Sequence, residues 1–192
     1  MNDTFENFVS NFLQTKNISV FIKNRSDIKF HHFYNHLLSQ KDTILITDSF
    51  NKYSTSNKIV LNTFDETLIK IVENIKDKNV FISVPVNEWF VSNPNEMHIL
   101  LKRMFGPLHC ICNNNNISLN LTTKSYNTQS GINIMGGTSV MYISSYVVSY
   151  ENENFKVMKN RCGSVGDILD INTFKPIMSK FYRQKKLERI LS

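Results

Sequence analysis

Short apolar segments alternate with amphipathic segments along most of this chain, and this alternation constrains its fold more than any other feature. Buried strands are predicted at 18–22, 43–47, 59–61, 80–84 and 117–122. Helical spacing of apolar residues predicts helices at 30–39, 64–75 and 94–113, the last one interrupted or bent near Gly106 and Pro107. Strands that alternate with helices favour an α/β fold with a doubly wound, mostly parallel sheet covered on both faces.

The pattern changes in the last third of the chain. A polar loop containing glycine is predicted from Tyr126 to Thr138, and further strands are predicted at 139–150, 155–160 and 168–171. Glu151–Asn154 has the composition of a hairpin turn. Consecutive hairpins indicate antiparallel strands added to the C-terminal edge of the sheet.

The two ends of the chain differ from its body. Residues 1–16 contain an amphipathic helix, which could pack on its own body or on a neighbouring subunit, and residues 17–172 form the core. Residues 173–192 form a basic amphipathic helix. The net charge of +6 is concentrated there, because six basic residues follow residue 174 against one acid. An anionic partner is expected for this basic C-terminal patch, which contains Lys180, Arg183, Lys185, Lys186 and Arg189.

Several classes of protein are excluded by composition. No apolar run approaches the length of a transmembrane helix, and the first residues lack the basic and apolar segments of a secretory signal. The three cysteines include Cys110 and Cys112, whose spacing does not fit a zinc knuckle, so they are interpreted as thiols in a reducing, cytoplasmic setting. His32 and His36 are spaced for chelation but lack a third ligand, so no metal or other cofactor is expected.

A family resemblance rests on two segments. Asn116–Thr123 and Met135–Tyr142, with its Gly-Gly-Thr, resemble the strand and following segment that flank a DNA-binding loop in the T-even phage UvsX recombinases of the RecA superfamily. Leu101–Phe105 resembles the helix before that strand, and Lys156–Arg161 resembles a later strand of the family. The resemblance covers roughly residues 18–172 and implies a RecA-like core.

The chain departs from the family at the positions that bind and hydrolyse ATP. The segment at the phosphate-loop position, 23–30, has no glycine, so only Lys29 and Arg25 remain there as a degenerate nucleotide-binding site. Phe30 replaces the magnesium-binding hydroxyl. Phe50, Ser83 and Leu121 stand where the family has an acidic residue, the aspartate near the metal and a histidine. We therefore expect no catalytic residue and no ATPase activity.

The resemblance also implies a set of DNA-binding residues. Lys124 would contact phosphate and Tyr126 would stack on bases, while Lys159 and Arg161 lie on the strand that reaches a neighbouring nucleotide in active relatives. The polar contacts would come from Asn127, Gln129 and Asn133. The resemblance thus predicts a non-catalytic accessory protein of DNA recombination, repair or replication, in the cytoplasm of the host cell if phage-encoded. It would bind single-stranded DNA, a RecA-type recombinase or another RecA-like subunit, as a homo- or hetero-oligomer with no membrane contact.

Three other functions fit the sequence. The chain could be a structural scaffold subunit that uses the fold without binding DNA. It could be a nucleotide-dependent enzyme with a rearranged site, which magnesium-dependent ATP turnover abolished by Lys29→Ala would show. It could also be a helicase-related module, because Lys159-Asn-Arg161-Cys-Gly163 resembles the finger strand of DnaB-type helicases.

Overall fold

A computed structural model describes residues 8–10, 13, 16–23, 28–50, 53, 55–89, 97–128, 131–134, 137–161 and 168–170 of the chain. Its strands are β1 (Ile18–Lys23), β2 (Thr43–Thr47), β3 (Lys58–Val60), β4 (Asn79–Ile82), β5 (Ser118–Thr128), β6 (Gly131–Ile134), β7 (Tyr146–Glu151), β8 (Asn154–Asn160) and β9 (Ile168–Asp170). Its helices are α1 (Ile28–Leu38), α2 (Glu66–Glu73), α3 (Met97–Asn114) and α4 (Gly137–Ile143), with a 3₁₀ turn at Val86–Glu88. The α/β alternation predicted from the sequence is confirmed.

The strands form a mostly parallel sheet with an antiparallel edge. The order is β3-β2-β4-β5-β1-β7-β8-β9, and the first six of these strands are parallel. β8 pairs antiparallel with β7 and β9 pairs antiparallel with β8, as the C-terminal hairpin pattern predicted. β6 lies off this path and pairs antiparallel with the end of β5.

Two apolar cores cover the two faces of the sheet. On one face, α1 packs through Phe30, Phe33 and Tyr34 against Phe21 of β1 and Phe81 of β4. On the other face, α2, α3 and α4 contribute a second cluster, which includes Leu68, Leu108 and Val140. Alternate residues of each strand point to opposite faces, so the strands are apolar on both sides, as parallel strands in a covered sheet must be.

Local interactions fix individual elements. Asp65 caps α2 by accepting a 2.9 Å hydrogen bond from the Thr67 amide, and this hydrogen bond lowers the pKa of the Asp65 carboxyl. Asn152 and Glu153, between β7 and β8, both have positive φ (49° and 65°). Two residues in the left-handed region form the tight hairpin turn that suits the twist of antiparallel strands.

The structure corrects three sequence predictions. The predicted loop at Tyr126–Thr138 is wrong, because β5 continues to Thr128 and β6 pairs with it. Residues 139–143, predicted as strand, belong to α4, in which Val140 is buried and Ile143 lies one turn later. α3 continues through Pro107, so the helix is not interrupted there. Gly106 and Pro107 are exposed, so water can satisfy the carbonyl that loses its helical donor.

The described part of the N-terminal segment packs on the body of its own chain. Residues 8–10 and 13 are helical, and the Phe8 ring lies 5.1 Å from Phe155 and 5.8 Å from Phe33. The Ser118 hydroxyl donates a 3.0 Å hydrogen bond to the Leu13 carbonyl. Within the residues described, no helix combines the length and the apolar character that crossing a membrane requires.

Candidate functional site

The carboxyl ends of β1 and β5 meet at the centre of the sheet. Lys23 ends β1 and is in register with Lys124 of β5. The helix that follows β1 covers one face, whereas α4, which follows the β5–β6 hairpin, belongs to the core on the other face. Adjacent strands whose helices leave to opposite faces open a crevice at their carboxyl ends, where open α/β sheets bind ligands. The carboxyl end of the sheet is therefore the expected position of a ligand-binding site.

A set of buried hydroxyl groups lies at the end of β2, just after β4 and within the neighbouring part of β5. The Ser83 hydroxyl donates a 2.7 Å hydrogen bond to the Thr47 hydroxyl, and the Thr122 hydroxyl donates a 3.3 Å bond to the Ser83 carbonyl. All three side chains are buried. The resemblance implies an aspartate at the position of Ser83, where this chain has a neutral hydroxyl. Asp48, after β2, retains a buried carboxylate oxygen without a hydrogen-bond partner in the described structure.

Two lysines at this edge of the sheet form ion pairs with acidic residues. Lys29 of α1 forms an ion pair with Glu153 in the β7–β8 turn, and Lys124 forms one with Glu88 of the 3₁₀ turn. Lys23 as a whole residue is 9% exposed, and its ammonium lies 5.0 Å from the centre of the Phe30 ring. The positive charge that a phosphate would require is thus partly neutralised in this structure.

Two residues of the segment at the phosphate-loop position, Lys29 and Phe30, belong to helix α1. Lys29 lies in the first turn of α1, and Phe30 is buried with its ring 5.1 Å from Tyr150. Phe30 therefore contributes to the apolar core and has no metal-binding atom. Arg25, the other predicted nucleotide contact, lies outside the described residues.

A β-hairpin replaces the predicted DNA-binding loop. β5 continues beyond the end of β1 at Lys23 and pairs with β6 from Ser125 to Thr128. Tyr126 is in register with Asn133, and Asn127 with Ile132. Tyr126 and Asn133 are therefore neighbours on adjacent strands, at the carboxyl edge and close to Lys124. Gln129 lies outside the described residues.

Lys159 and Arg161 lie at the opposite edge of the sheet. The Lys159 ammonium donates hydrogen bonds of 2.6 Å to the Met141 carbonyl and 2.9 Å to the Tyr142 carbonyl, and the Arg161 guanidinium donates one of 3.3 Å to Tyr142. Both cations thus lie at the C-terminal end of α4, where the helix dipole is negative. Burial and the neighbouring Arg161 lower the pKa of Lys159. The structure does not bring these residues together with the hairpin residues.

Some predicted residues cannot be placed and some informative ones were missed. The basic C-terminal patch (Lys180, Arg183, Lys185, Lys186 and Arg189) and Cys162 lie outside the described residues. Thr47, Thr122 and the exposed Tyr142 were not among the predicted site residues. Alternation along β2 and β5 could have identified the two threonines as buried polar residues, because every second residue of a strand faces the same side of the sheet.

The described residues contain no group of three or more histidine, cysteine or acidic side chains that could hold a metal ion. Comparison of the chain with models of known protein families and with curated proteins finds no match. The residues and their geometry are therefore the basis for the function proposed below.

Proposed function

We propose that this chain is a non-catalytic, RecA-like accessory protein of DNA recombination, repair or replication, and that it binds single-stranded DNA through the β5–β6 hairpin. The observation that carries the proposal is the register of the hairpin, which puts Tyr126 beside Asn133 at the carboxyl edge of the sheet. A tyrosine and an asparagine at paired strand positions suit single-stranded DNA, since bases of any sequence stack on aromatic rings and amides bond to base edges or phosphates.

The described edge supports a role without ATP hydrolysis. The Ser83 position has a hydroxyl bonded to Thr47, and Phe30 has no atom that could hold magnesium. Charge stabilisation by a metal and by positioned cations supplies most of the acceleration in phosphoryl transfer. A site without those groups would hold its partner without the release that hydrolysis drives.

The fold supports the RecA-like part of the proposal. A mostly parallel sheet with antiparallel strands at its C-terminal edge is the arrangement that the resemblance implies, although unrelated functions share such sheets. The exposed thiol of Cys110 fits a protein of the reducing cytoplasm.

A second candidate function is a scaffold subunit that does not bind DNA. The ion pair between Lys124 and Glu88 favours it, because a lysine that is already neutralised attracts phosphate less. The same ion pair distinguishes the two candidates. Under the DNA-binding proposal, Glu88→Gln leaves Lys124 available and strengthens binding several-fold. Under the scaffold alternative, Glu88→Gln has no effect on DNA.

The deciding experiment is fluorescence anisotropy of labelled single-stranded DNA, at two salt concentrations and with or without magnesium and ATP. We expect binding that is independent of ATP and weaker at high salt. Tyr126→Ala should weaken it about tenfold, the contribution of one stacked base, and Tyr126→Phe should retain it. Val60→Ala, on the distant edge strand β3, is the matched control. Absence of binding at low salt would refute the proposal and favour the scaffold.

A further inference from the structure

We infer that Tyr142, Lys159 and Arg161 form a second nucleic-acid contact at the amino edge of the sheet, remote from the β5–β6 hairpin. This inference rests on the proposed function, because it extends the path of the same single strand across the protein. The contact would take one base on the Tyr142 ring and adjacent phosphates on the two cations.

The exposure of Tyr142 is the first observation. Its side chain is 80% exposed, whereas Val140, two residues earlier in α4, is 1% exposed. Tyr142 therefore does not contribute to the core, and its ring is available to a ligand. The Lys159 ammonium lies 6.0 Å from the ring centre, so a base stacked on this ring would lie next to a positive charge.

The charge beside the ring is the second observation. Within the described residues, neither Lys159 nor Arg161 has a carboxylate within 4.0 Å, in contrast to Lys29 and Lys124. The end of a helix carries a partial charge of about −0.5, so two full cations exceed what α4 requires. The excess positive charge remains at the surface, and a phosphate would relieve the repulsion between the two cations.

The distance between these three residues and the β5–β6 hairpin sets the length of single strand that could contact both. Arg161 and Ser145 are joined by a backbone hydrogen bond of 3.1 Å at the start of β7, whereas the hairpin lies beyond the opposite ends of the parallel strands. The six residues of β7 rise by roughly 20 Å at about 3.3 Å per residue. A single strand that contacts both sites must cover this distance. A strand of 24 nucleotides is long enough.

The test is anisotropy of a labelled 24-mer at low salt. Tyr142→Ala should weaken binding of the 24-mer about tenfold, and Tyr142→Phe should bind as the wild type does. Arg161→Gln should reduce the slope of log K against log salt by about 0.7 for the 24-mer. Lys70→Gln removes one exposed charge from α2 and serves as the control for net charge.

A fluorescence experiment separates base stacking from a purely structural role. The chain has one tryptophan, Trp89, which is buried. In Tyr142→Trp, the added indole should be quenched as the 24-mer saturates the protein, with little change for the wild type. If the wild type binds no oligonucleotide, the proposed function itself fails. If it binds the 24-mer and Tyr142→Ala binds equally tightly without quenching in Tyr142→Trp, only the second contact is refuted.

Discussion

The Ser83 hydroxyl lies 2.7 Å from the Thr47 hydroxyl, and this buried hydrogen bond joins the ends of β4 and β2. The pair occupies the place where the RecA resemblance implies an aspartate near a metal. The two hydroxyls are neutral and satisfy each other in the buried interior.

The Ser83 position should tolerate a neutral substitution better than a charged one. We expect Ser83→Ala to lower the free energy of unfolding by about 1–3 kcal/mol, because the Thr47 hydroxyl loses a buried partner. Ser83→Asp should cost more at neutral pH, since a carboxylate would be buried without a cation. Burial would raise its folded pKa, so the extra cost should disappear as the pH falls below about 4. Urea unfolding at pH 7 and pH 4 measures both effects, and equal costs for the two variants at pH 7 would contradict the argument.

The outcome at individual residues shows what the sequence could and could not predict. The strand at 43–47 was predicted with its observed bounds, because a short β-branched run between polar residues leaves little choice. The end of β5 was missed, since Ser125–Thr128 is a polar segment without an apolar strand pattern, and it forms a strand by pairing with β6. The ion pair between Lys29 and Glu153 joins residues 124 positions apart, and no local pattern reports such a contact.

Gly106 offers a test of the continuous helix α3. Apart from its two chain neighbours, a Cβ added at this exposed glycine would meet nothing within 4 Å. In a Pro107→Ala background, where the clash between an alanine Cβ and the following proline is removed, Gly106→Ala should stabilise the protein by about 0.5–1 kcal/mol, because alanine loses less backbone entropy than glycine in a helix. Thermal and urea unfolding measure the change. A loss of stability would instead indicate that the backbone at residue 106 departs from helical geometry.

The two described cysteines should differ sharply in reactivity. Cys112 is buried, and burial raises the pKa of its thiol to about 12, whereas Cys110 is exposed. In a Cys162→Ser background, we expect a thiol reagent at pH 8 to modify Cys110 rapidly and Cys112 only after unfolding. Mass spectrometry of the labelled native and unfolded protein distinguishes the two thiols. Rapid labelling of both in the native protein would be inconsistent with the packing of α3.

The ion pair of Lys29 should have a small energetic role and no catalytic one. Both partners are partly exposed, so Lys29→Ala should lower the free energy of unfolding by less than about 1 kcal/mol. ATP turnover with magnesium should equal the buffer blank for the wild type and for Lys29→Ala. Saturable turnover that Lys29→Ala abolishes would instead show an enzyme with a rearranged site.

Histidine burial should make the fold sensitive to mild acid. Burial lowers the pKa of His36, and burial followed by the charges of His32 and Lys23 lowers the pKa of His31. The unfolded chain therefore takes up protons at a higher pH than the folded one, so the free energy of unfolding should fall as the pH drops from about 7 towards 5. His36→Gln should reduce this slope, and adding His31→Gln should reduce it further. Urea unfolding at a series of pH values gives the slope directly. An identical slope in the wild type and in the double variant would show that other groups control the acid response.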